Sequence, residues 1–481
     1  MTTLRIILLI GALVLDGEPL SGQNSVASKG ASPSPAGIDR YALRGTLVTP
    51  TEIIPAGTIL IIGNKIEAVG KNVELPAGVQ TIETNGFIYP GLIDLHDHIT
   101  WNFLPPWTPG EEFNDRYEWQ TRKDYFNKLK NPHDAIVSAS PSPRPVDKED
   151  LACDANQYGE VKAIVGGATS VVDGLGTDDC VRGLVRNLSL YSGLHEPAIV
   201  EMVRNAVFPL EVSNEDVQKI GEELRDCRHA VVAHLAEGKR NEGCSEREFK
   251  MFKARGFLRE GVSIIHGVSL TPDDFVEMAD NHVGLIWSPR SNIALYGKGE
   301  TTDVRVAKSS GVKIALAPDW SPSGSDGLLE ELRYAAAWNA RQQPPVFTDS
   351  ELVQMATMRP AELAKLDDKI GILRRPSFRR SADHSQSRSR RLPRPTECEA
   401  DRRAARYYQW QTGVWRRRSD ALAGTQRTVR DNIVLQYEQA VEPRERKSAT
   451  IKATKAVERH SRLAGKRTKK VEPAVIRSCS V

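Results

Sequence analysis

The first patterned part of the chain is a series of short β-type segments between Tyr41 and Gly91. Each segment is rich in aliphatic or β-branched residues, and a Gly-Asn pair at positions 63 and 64 favours a tight turn between two of them. The four segments are Leu43–Val48, Thr58–Ile62, Lys65–Val69 and Val79–Glu83. They predict part of a small β-sandwich over residues 39–90.

From residue 91 onwards, apolar β-rich segments alternate with longer amphipathic segments, which predicts strand–helix units around a parallel sheet. Six strands are clear: Gly91–His96, Thr169–Asp173, Ala230–His234, Ser263–His266, Gly284–Trp287 and Val312–Ala317. The predicted helices include Asn214–Arg225, Glu246–Arg255, Pro272–Asp280 and Leu328–Asn339. About 275 residues of such units suit an α/β fold with a (β/α)8 TIM-like barrel over residues 91–373. The two missing strands would lie between Gly183 and Val212.

One stretch interrupts this alternation. Residues 101–150 lack strand character and predict a long inserted loop above the first barrel strand. The three tryptophans of this stretch, Trp101, Trp107 and Trp119, would either line a pocket or anchor the loop. Both interpretations stay open, and Trp101 is taken as a candidate substrate contact.

The N-terminus predicts export from the cytoplasm. Arg5 precedes ten mostly apolar residues, Ile6–Leu15, as in the n- and h-regions of a secretory signal peptide. This apolar run is shorter than the roughly 20 residues that a membrane span needs. We predict a signal peptide over 1–22, a flexible linker over 23–38 and a periplasmic or secreted protein without stable membrane insertion. A buried N-terminal strand in a cytoplasmic protein is the alternative.

The charge distribution divides the chain at residue 374. The whole chain has 65 Lys+Arg and 62 Asp+Glu, a net charge of +3. Residues 374–481 contain 28 basic and 11 acidic residues, so the preceding part has 37 basic and 51 acidic residues. With 40% hydrophobic and 26% charged residues overall, the composition excludes collagen, coiled coil and wholesale disorder. The basic tail, 374–481, is predicted to be disordered or to result from a reading-frame shift.

Histidines and one aspartate follow the predicted barrel strands. His96 and His98 are two residues apart, so both side chains can point to the same side of an extended chain. His234, His266 and Asp319 each end another apolar strand. The C-terminal ends of barrel strands form the face where active sites lie. Neutral imidazoles with one carboxylate suit a borderline divalent ion such as Zn²⁺.

The same residues belong to motifs that resemble a known family. The segment from Phe87 to His98 is similar to the entry segment of metal-dependent amidohydrolases. His234-Leu-Ala-Glu237, His266, Ser288-Pro-Arg-Ser-Asn292 and Asp319 follow in the order of that family. The combination resembles the branch that contains atrazine chlorohydrolase and the guanine and cytosine deaminases. The resemblance covers residues 41–373 and implies a barrel flanked by a small β-sandwich, with one metal ion, usually Zn²⁺ and sometimes Fe²⁺.

This resemblance implies a metal-dependent hydrolase that cleaves C–N bonds, or C–Cl bonds, of a cyclic amide, amidine or N-heterocycle through metal-bound hydroxide. The expected metal ligands are His96, His98, His234 and Asp319. The expected catalytic residues are Asp319 as the base, Glu237 as the proton donor, and His266, which would polarise the substrate or hold the metal-bound water. The expected substrate-binding residues are Ser288, Arg290, Asn292 and Trp101, although Asn292 could instead cap a turn.

The resemblance stops after Leu373, where the basic tail replaces the strands that would complete the β-sandwich. The alternative function is therefore a catalytically defective barrel whose tail binds nucleic acid or another polyanion. The tail lacks zinc-finger spacing and repeated aromatic residues, which makes nucleic acid the less favoured partner. A small molecule is the expected partner. The sequence neither identifies that molecule nor excludes a homo-oligomer.

Overall fold

The computed structural model describes residues 40–63, 65–137, 151–172, 184–188, 203–207, 213–226, 229–240, 243–374 and 412–414. The predicted signal peptide, the linker and nearly all of the basic tail lie outside the described residues, so those predictions are neither supported nor contradicted. Of the helices that the structure describes, none combines the length and the apolar character of a membrane span.

The N-terminal β-unit is a mixed sheet in which the strands have the order β13-β4-β1-β2-β3. Its strands are β1 Arg40–Val48, β2 Ile53–Ile62, β3 Lys65–Gly70, β4 Gln80–Pro90 and β13 Thr412–Val414. β1 pairs in antiparallel fashion with β2 and in parallel with β4. The three residues of β13 come from the basic tail and pair in antiparallel fashion with β4. The four predicted segments, apart from Val79, are confirmed within longer strands, and the second layer of the sandwich stays a prediction.

Eight parallel strands follow in two sheets of the described chain, with the orders β5-β6-β7 and β12-β11-β10-β9-β8. They are β5 Leu92–Asp94, β6 Ala168–Val171, β7 Arg186–Asn187, β8 Val203–Val207, β9 Ala230–Leu235, β10 Val262–His266, β11 Gly284–Trp287 and β12 Ile314–Leu316. The six predicted strands are confirmed to within two residues at each end. The two strands that the sequence left open are β7 and β8.

The first and last of these strands meet at their carboxyl ends. Asp97 and Asp319 form a parallel β-bridge, in which His98 N donates to Asp319 O (2.9 Å) and Asp319 N donates to His96 O (3.1 Å). This contact is what a barrel requires of its first and eighth strands. The described ladders do not include a pairing of β7 with β8, so complete barrel closure stays a prediction.

Helices lie between the parallel strands and at the carboxyl end of the series. They are α1 Arg116–Trp119, α2 Lys123–Tyr125, α3 Asn131–Val137, α4 Leu151–Val165, α5 Asn214–Glu223, α6 Gly243–Ala254, α7 Pro272–Asp280, α8 Pro289–Tyr296, α9 Val304–Ser310, α10 Leu328–Asn339, α11 Asp349–Met355 and α12 Met358–Leu363. Short 3₁₀ turns occupy Ile99–Trp101 and Leu224–Asp226, and a π-helical turn occupies Phe126–Lys130. The predicted bounds of α7 and α10 are confirmed, while those of α5 and α6 differ by up to three residues.

Alternation along β9 separates two hydrophobic layers. Val231, Ala233 and Leu235 pack in the cluster that includes the outer helices. Ala230 and Val232 instead pack in the cluster that includes residues of β5, β10, β11 and β12. Because strand side chains alternate with a period of two, His234 continues the series of Ala230 and Val232 toward the interior. The strand therefore places an imidazole at the end of an apolar row.

The prediction of a loop over residues 101–150 is wrong for its described part, 101–137, which contains α1, α2, the π-helical turn and α3. We call residues 99–137 the insert. Its helices are only one or two turns long, which is too short to give a periodic hydrophobic signal. Local capping still defines α1, because the Asp115 side chain accepts a hydrogen bond from Glu118 N (3.0 Å).

Candidate metal centre and active site

Four histidines and one aspartate converge where β5, β9, β10 and β12 end. Asp319 Oδ1 lies 3.2 Å from His96 Nε2 and 3.4 Å from His98 Nε2. The ring of His96 lies 4.8 Å from the rings of both His234 and His266, measured between centroids. All of these residues except His98 are at least nine-tenths buried. The strands thus gather five potential ligand side chains in one cluster, four of them buried.

The potential ligand atoms form two overlapping groups. His96, His234 and His266 offer nitrogen atoms within 4.8 Å of one another, and so do the ligand atoms of His96, His98 and Asp319. His96 belongs to both groups and lies between them. The expected ligands His96, His98, His234 and Asp319 therefore lie together, and His266 is equally close to His96.

Burial keeps three of the four imidazoles neutral. It lowers the pKa of His96 and of His234 well below the ordinary value, and it lowers the pKa of His266 to about 4. Burial also raises the pKa of Asp319, an effect that nearby His266 and His98 oppose. Neutral imidazoles retain the nitrogen lone pair that a metal ion requires.

The main chain is strained at this cluster. His266 and Asp319 have φ angles of 66° and 71°, in the left-handed region that side chains with a Cβ rarely adopt. Ala236, next to Glu237, has a φ of 54°. Such conformations cost on the order of 1–3 kcal/mol each and tend to occur at functional sites. Here each one turns the chain as it leaves a strand.

The segment 288–292, at the start of α8, holds three of the clustered side chains. Ser288 Oγ hydrogen-bonds His96 Nδ1 (3.0 Å), Ser291 Oγ donates to Asp319 Oδ2 (2.5 Å), and Asn292 Oδ1 pairs with His266 Nδ1 (2.9 Å). Bonds of this kind orient metal-binding side chains and fix which ring nitrogen carries the proton. One helical turn therefore orients groups from three different strands.

The structure shows which groups the side chains of the motif Ser288–Asn292 contact. The sequence predicted that Ser288, Arg290 and Asn292 shape the substrate side. Ser288 and Asn292 contact the histidines, while Arg290 is 38% exposed and pairs with Glu330 on α10 (2.6 Å). Their contact with a substrate stays a prediction. Asn292 lies inside α8 rather than in a turn. Ser291 was missed, although the Ser-Pro sequence that starts the helix could have placed it near the strand ends.

Glu237 lies at the edge of the cluster and is 4% exposed. Its Oε2 is 3.7 Å from His266 Nε2, and its Oε1 accepts a hydrogen bond from Tyr296 Oη (2.7 Å). Burial raises the pKa of Glu237 to about 7, with Asp319 adding to the rise and Arg116 opposing it. A carboxyl group with that pKa is half-protonated near neutral pH and can donate or accept a proton.

Aromatic residues of the insert pack against Trp320, which contacts the cluster. Trp320, next to Asp319, contacts the His98 ring at 6.0 Å and the Trp101 ring at 5.5 Å. Trp101 itself stacks on His133 at 3.7 Å between ring centroids. Trp107 and Trp119 are buried at 4% and 6% exposure and anchor the insert. Trp101 thus lies one ring away from His98, and its contact with a substrate stays a prediction.

The sequence model of the Amidohydrolase family matches residues 87–375 of this chain, a range that contains every residue of the cluster. The chain is also similar to proteins named 5-methylthioadenosine/S-adenosylhomocysteine deaminase. The one from Pyrococcus furiosus is 22% identical over 340 residues, which cover 66% of this chain and 79% of the relative. The one from Moorella thermoacetica is 24% identical over 354 residues, which cover 67% and 79%.

Solved structures show the same fold at low identity. A mutant of atrazine chlorohydrolase from Arthrobacter aurescens, complexed with zinc and atraton, aligns with a TM-score of 0.55 and 18% identity over 70% of this chain and 85% of that structure. Guanine deaminase from C. acetobutylicum, with bound guanine, aligns with a TM-score of 0.51 and 19% identity over 69% and 88%.

Proposed function

Because this chain belongs to the amidohydrolase family and is a hydrolase of carbon–nitrogen bonds other than peptide bonds, we propose that it removes an amino group from the carbon of an N-heterocycle. Its relatives are named as deaminases of adenine-containing thioethers, and its structural neighbours include guanine deaminase and atrazine chlorohydrolase. Displacement of another leaving group, such as chloride, is a variant of the same chemistry. The observation that carries the proposal is the convergence of imidazoles and one carboxylate from separate strands.

The described residues fit one divalent metal ion. His96 Nε2 is buried and makes no hydrogen bond within the described chain, although it faces Asp319 Oδ1 at 3.2 Å. Two ligand-type atoms that face one another in this way suit a shared cation, and neutral imidazoles with a carboxylate suit Zn²⁺ first and Fe²⁺ second. The proposed ligands are His96, His98, His234 and Asp319. When bound, such an ion supplies Lewis acidity that makes water nucleophilic near neutral pH.

Proton transfer is assigned to the two carboxyl groups of the pocket. Asp319 Oδ1 faces the imidazoles, where it would accept a proton from the attacking water, while Oδ2 stays bonded to Ser291. Glu237, with its pKa of about 7, would donate a proton to a ring nitrogen or to the leaving group. His266 would contact the group on the attacked carbon, on the side that faces Glu237. Under this assignment Asp319 accepts a proton and Glu237 donates one.

Ammonia release tests the proposal directly. Purified protein would be assayed against a panel of aminated heterocycles that includes 5′-methylthioadenosine, guanine and simple amino-triazines, before chelation, after chelation and after Zn²⁺ is restored. We expect release from at least one class of ring, lost on chelation and recovered with metal. Protein that carries stoichiometric metal but releases no ammonia from any ring would contradict deamination, and chloro-triazines would then test the chloride variant.

We also propose export to an oxidising compartment. Cys153, in the first turn of α4, is disulfide-bonded. Disulfides persist in secreted and periplasmic proteins and are rare in the cytosol. Fractionation of cells together with thiol labelling of the extracted protein would test this. Recovery of the chain in the cytosolic fraction, with Cys153 labelled, would contradict it.

A further inference from the structure

The insert is fastened to the main chain around Glu237. Arg116 N donates to Glu237 O (3.2 Å), and Lys239 N donates to Asn114 O (2.6 Å). Gly238, between these contacts, forms an antiparallel bridge with Asp115. Three consecutive residues after β9 therefore pair with three residues of the insert.

Only glycine allows this approach at position 238. A Cβ on Gly238 would lie 2.5 Å from Ser245 Oγ, 2.7 Å from Asp115 Cβ and 2.8 Å from Asn114 O. Real Cβ atoms do not approach backbone oxygen that closely, so a larger residue would push the two segments apart. The absence of a side chain at Gly238 therefore allows the insert to pack directly against the chain next to Glu237.

The side chain of Arg116 enters the pocket from the insert. It is fully buried, its Nη2 donates to Glu248 Oε1 (2.8 Å), and its Nη1 lies 3.9 Å from Glu237 Oε2. Glu248 Oε2 accepts in turn from Ala236 N (2.6 Å), next to Glu237. Because Glu248 is the near partner, Arg116 faces the Glu237 carboxyl group without closing a tight ion pair on it.

A second contact of the insert reaches the other oxygen of Glu237. Trp119 Nε1 donates to Tyr296 Oη (3.0 Å), and Tyr296 Oη donates to Glu237 Oε1 (2.7 Å). Because the tyrosine hydroxyl accepts from the indole, its own proton is directed toward Glu237. One carboxyl oxygen of Glu237 therefore faces Arg116 of the insert. The other accepts from Tyr296, which in turn accepts from Trp119 of the insert.

We propose that Arg116 and Trp119 are positioning residues, through which the docked insert holds the Glu237 carboxyl group for proton transfer. The inference rests on the proposed function for the role of Glu237. Its structural part, that the insert fixes the orientation of Glu237, stands on the contacts alone. A displacement of about 1 Å at a reacting group can cost on the order of 100-fold in rate, so a fixed carboxyl group has kinetic value.

The first test is structural and needs no substrate. The double variant Arg116→Gln/Glu248→Gln replaces the buried ion pair by neutral amides and leaves no unpaired charge. Tyr296→Phe removes a single oxygen and serves if the double variant does not fold. Crystal structures should show the Glu237 carboxyl group displaced by about 1 Å or in several rotamers, with His96, His98 and Asp319 unmoved. Glu237 in its original place in both variants would overturn the inference.

The second test uses turnover of the best heterocycle in the panel. We expect kcat of the double variant to fall on the order of 100-fold with KM little changed, because only transition-state positioning is lost. Arg122→Gln is the matched control, since Arg122 also belongs to the insert but pairs at the surface with Glu118 and Glu111. A purely structural role would instead raise KM or lower the active fraction in all variants alike.

The two tests distinguish failure of the proposed function from failure of the positioning role. If the wild-type protein releases no product from any heterocycle, the proposed function fails, and the crystal structures still decide whether the insert positions Glu237. If turnover is found but kcat of the double variant matches that of the control, the positioning role fails and the function stands.

Discussion

The strand-end cluster and the insert contribute to the same pocket by opposite means. His234 is placed by a regular strand, in which a period of two determines the direction of the side chain. Arg116 and Trp119 are placed by helices of one turn, docked through backbone pairing to residues more than a hundred positions away. The comparison teaches that candidate ligands can be read from strand periodicity, whereas the groups that orient a proton donor depend on tertiary docking.

The largest expected effect belongs to the cluster itself. Asp319→Asn removes the one carboxylate among the clustered side chains and should lower kcat by about 10²–10⁴-fold, since both proton acceptance and metal binding are weakened. Ammonia release and metal content per chain would be measured together. Asp326→Asn is the control, because Asp326 is 49% exposed and pairs with Lys162 at the surface. Equal activity in both variants would remove Asp319 from the mechanism.

A smaller effect is expected from the residues that orient the cluster. Ser291→Ala deletes the hydrogen bond to Asp319 Oδ2 and should lower metal affinity or activity by about 10–100-fold. Competition with a chelator would give the affinity. Ser309→Ala, which removes a surface serine whose hydroxyl donates to Val306 O within α9, should leave it unchanged. If Ser291→Ala keeps wild-type affinity, then segment 288–292 merely packs against the cluster and does not orient it.

The insert and the barrel can be compared with one kind of substitution. Asp115→Ala removes the N-cap of α1 in the insert, and Thr271→Ala removes the N-cap of α7 between two barrel strands. Each should lower the free energy of unfolding by about 1 kcal/mol. Only Asp115→Ala should also reduce kcat, by a few-fold, because α1 carries Arg116 and Trp119. Equal kcat in the two variants would show that the docked insert tolerates a frayed α1.

Six of the eight parallel strands, and the candidate ligands at strand ends, could be proposed from the sequence because both follow from local patterns. Apolar segments that end in His96, His234 or Asp319 can be recognised without knowledge of the fold, and parallel strands bring such ends together. The short strand β7 could not be predicted in the same way, because two residues give no periodicity.

The contacts that orient the cluster and Glu237 could not be predicted from the sequence, for a different reason. Ser291 lies 28 residues from Asp319, and Arg116 lies 132 residues from Glu248. Neither residue type suggests its partner, since serine and arginine occur widely on surfaces. The motif Ser288–Asn292 was recognised, yet the direction of each side chain depends on how α8 begins. Ser288, Ser291 and Asn292 turn toward the cluster because the helix starts just beyond the carboxyl end of β11.

A last effect concerns stability rather than turnover, at a buried acid of α10. Glu331 of α10 is fully buried and accepts hydrogen bonds from Arg290 N and Ser325 Oγ, and burial raises its pKa from 4.5 to about 8. Between those two pH values the folded chain retains a proton that the unfolded chain has lost. This contribution to stability therefore declines as pH rises from 4.5 and levels off above about 8.

Glu331→Gln should remove that decline, because the amide can accept from Arg290 N and donate to Ser325 Oγ without titrating. Urea unfolding across the same pH range would show a flatter profile for the variant, with a higher free energy of unfolding than the wild type above pH 8. Glu330→Gln, at the 37% exposed neighbouring position, retains Glu331 and should keep the wild-type slope. Parallel profiles for wild type and Glu331→Gln would mean that this carboxyl group is ionised in the folded protein, and that its hydrogen bonds outweigh the cost of burial.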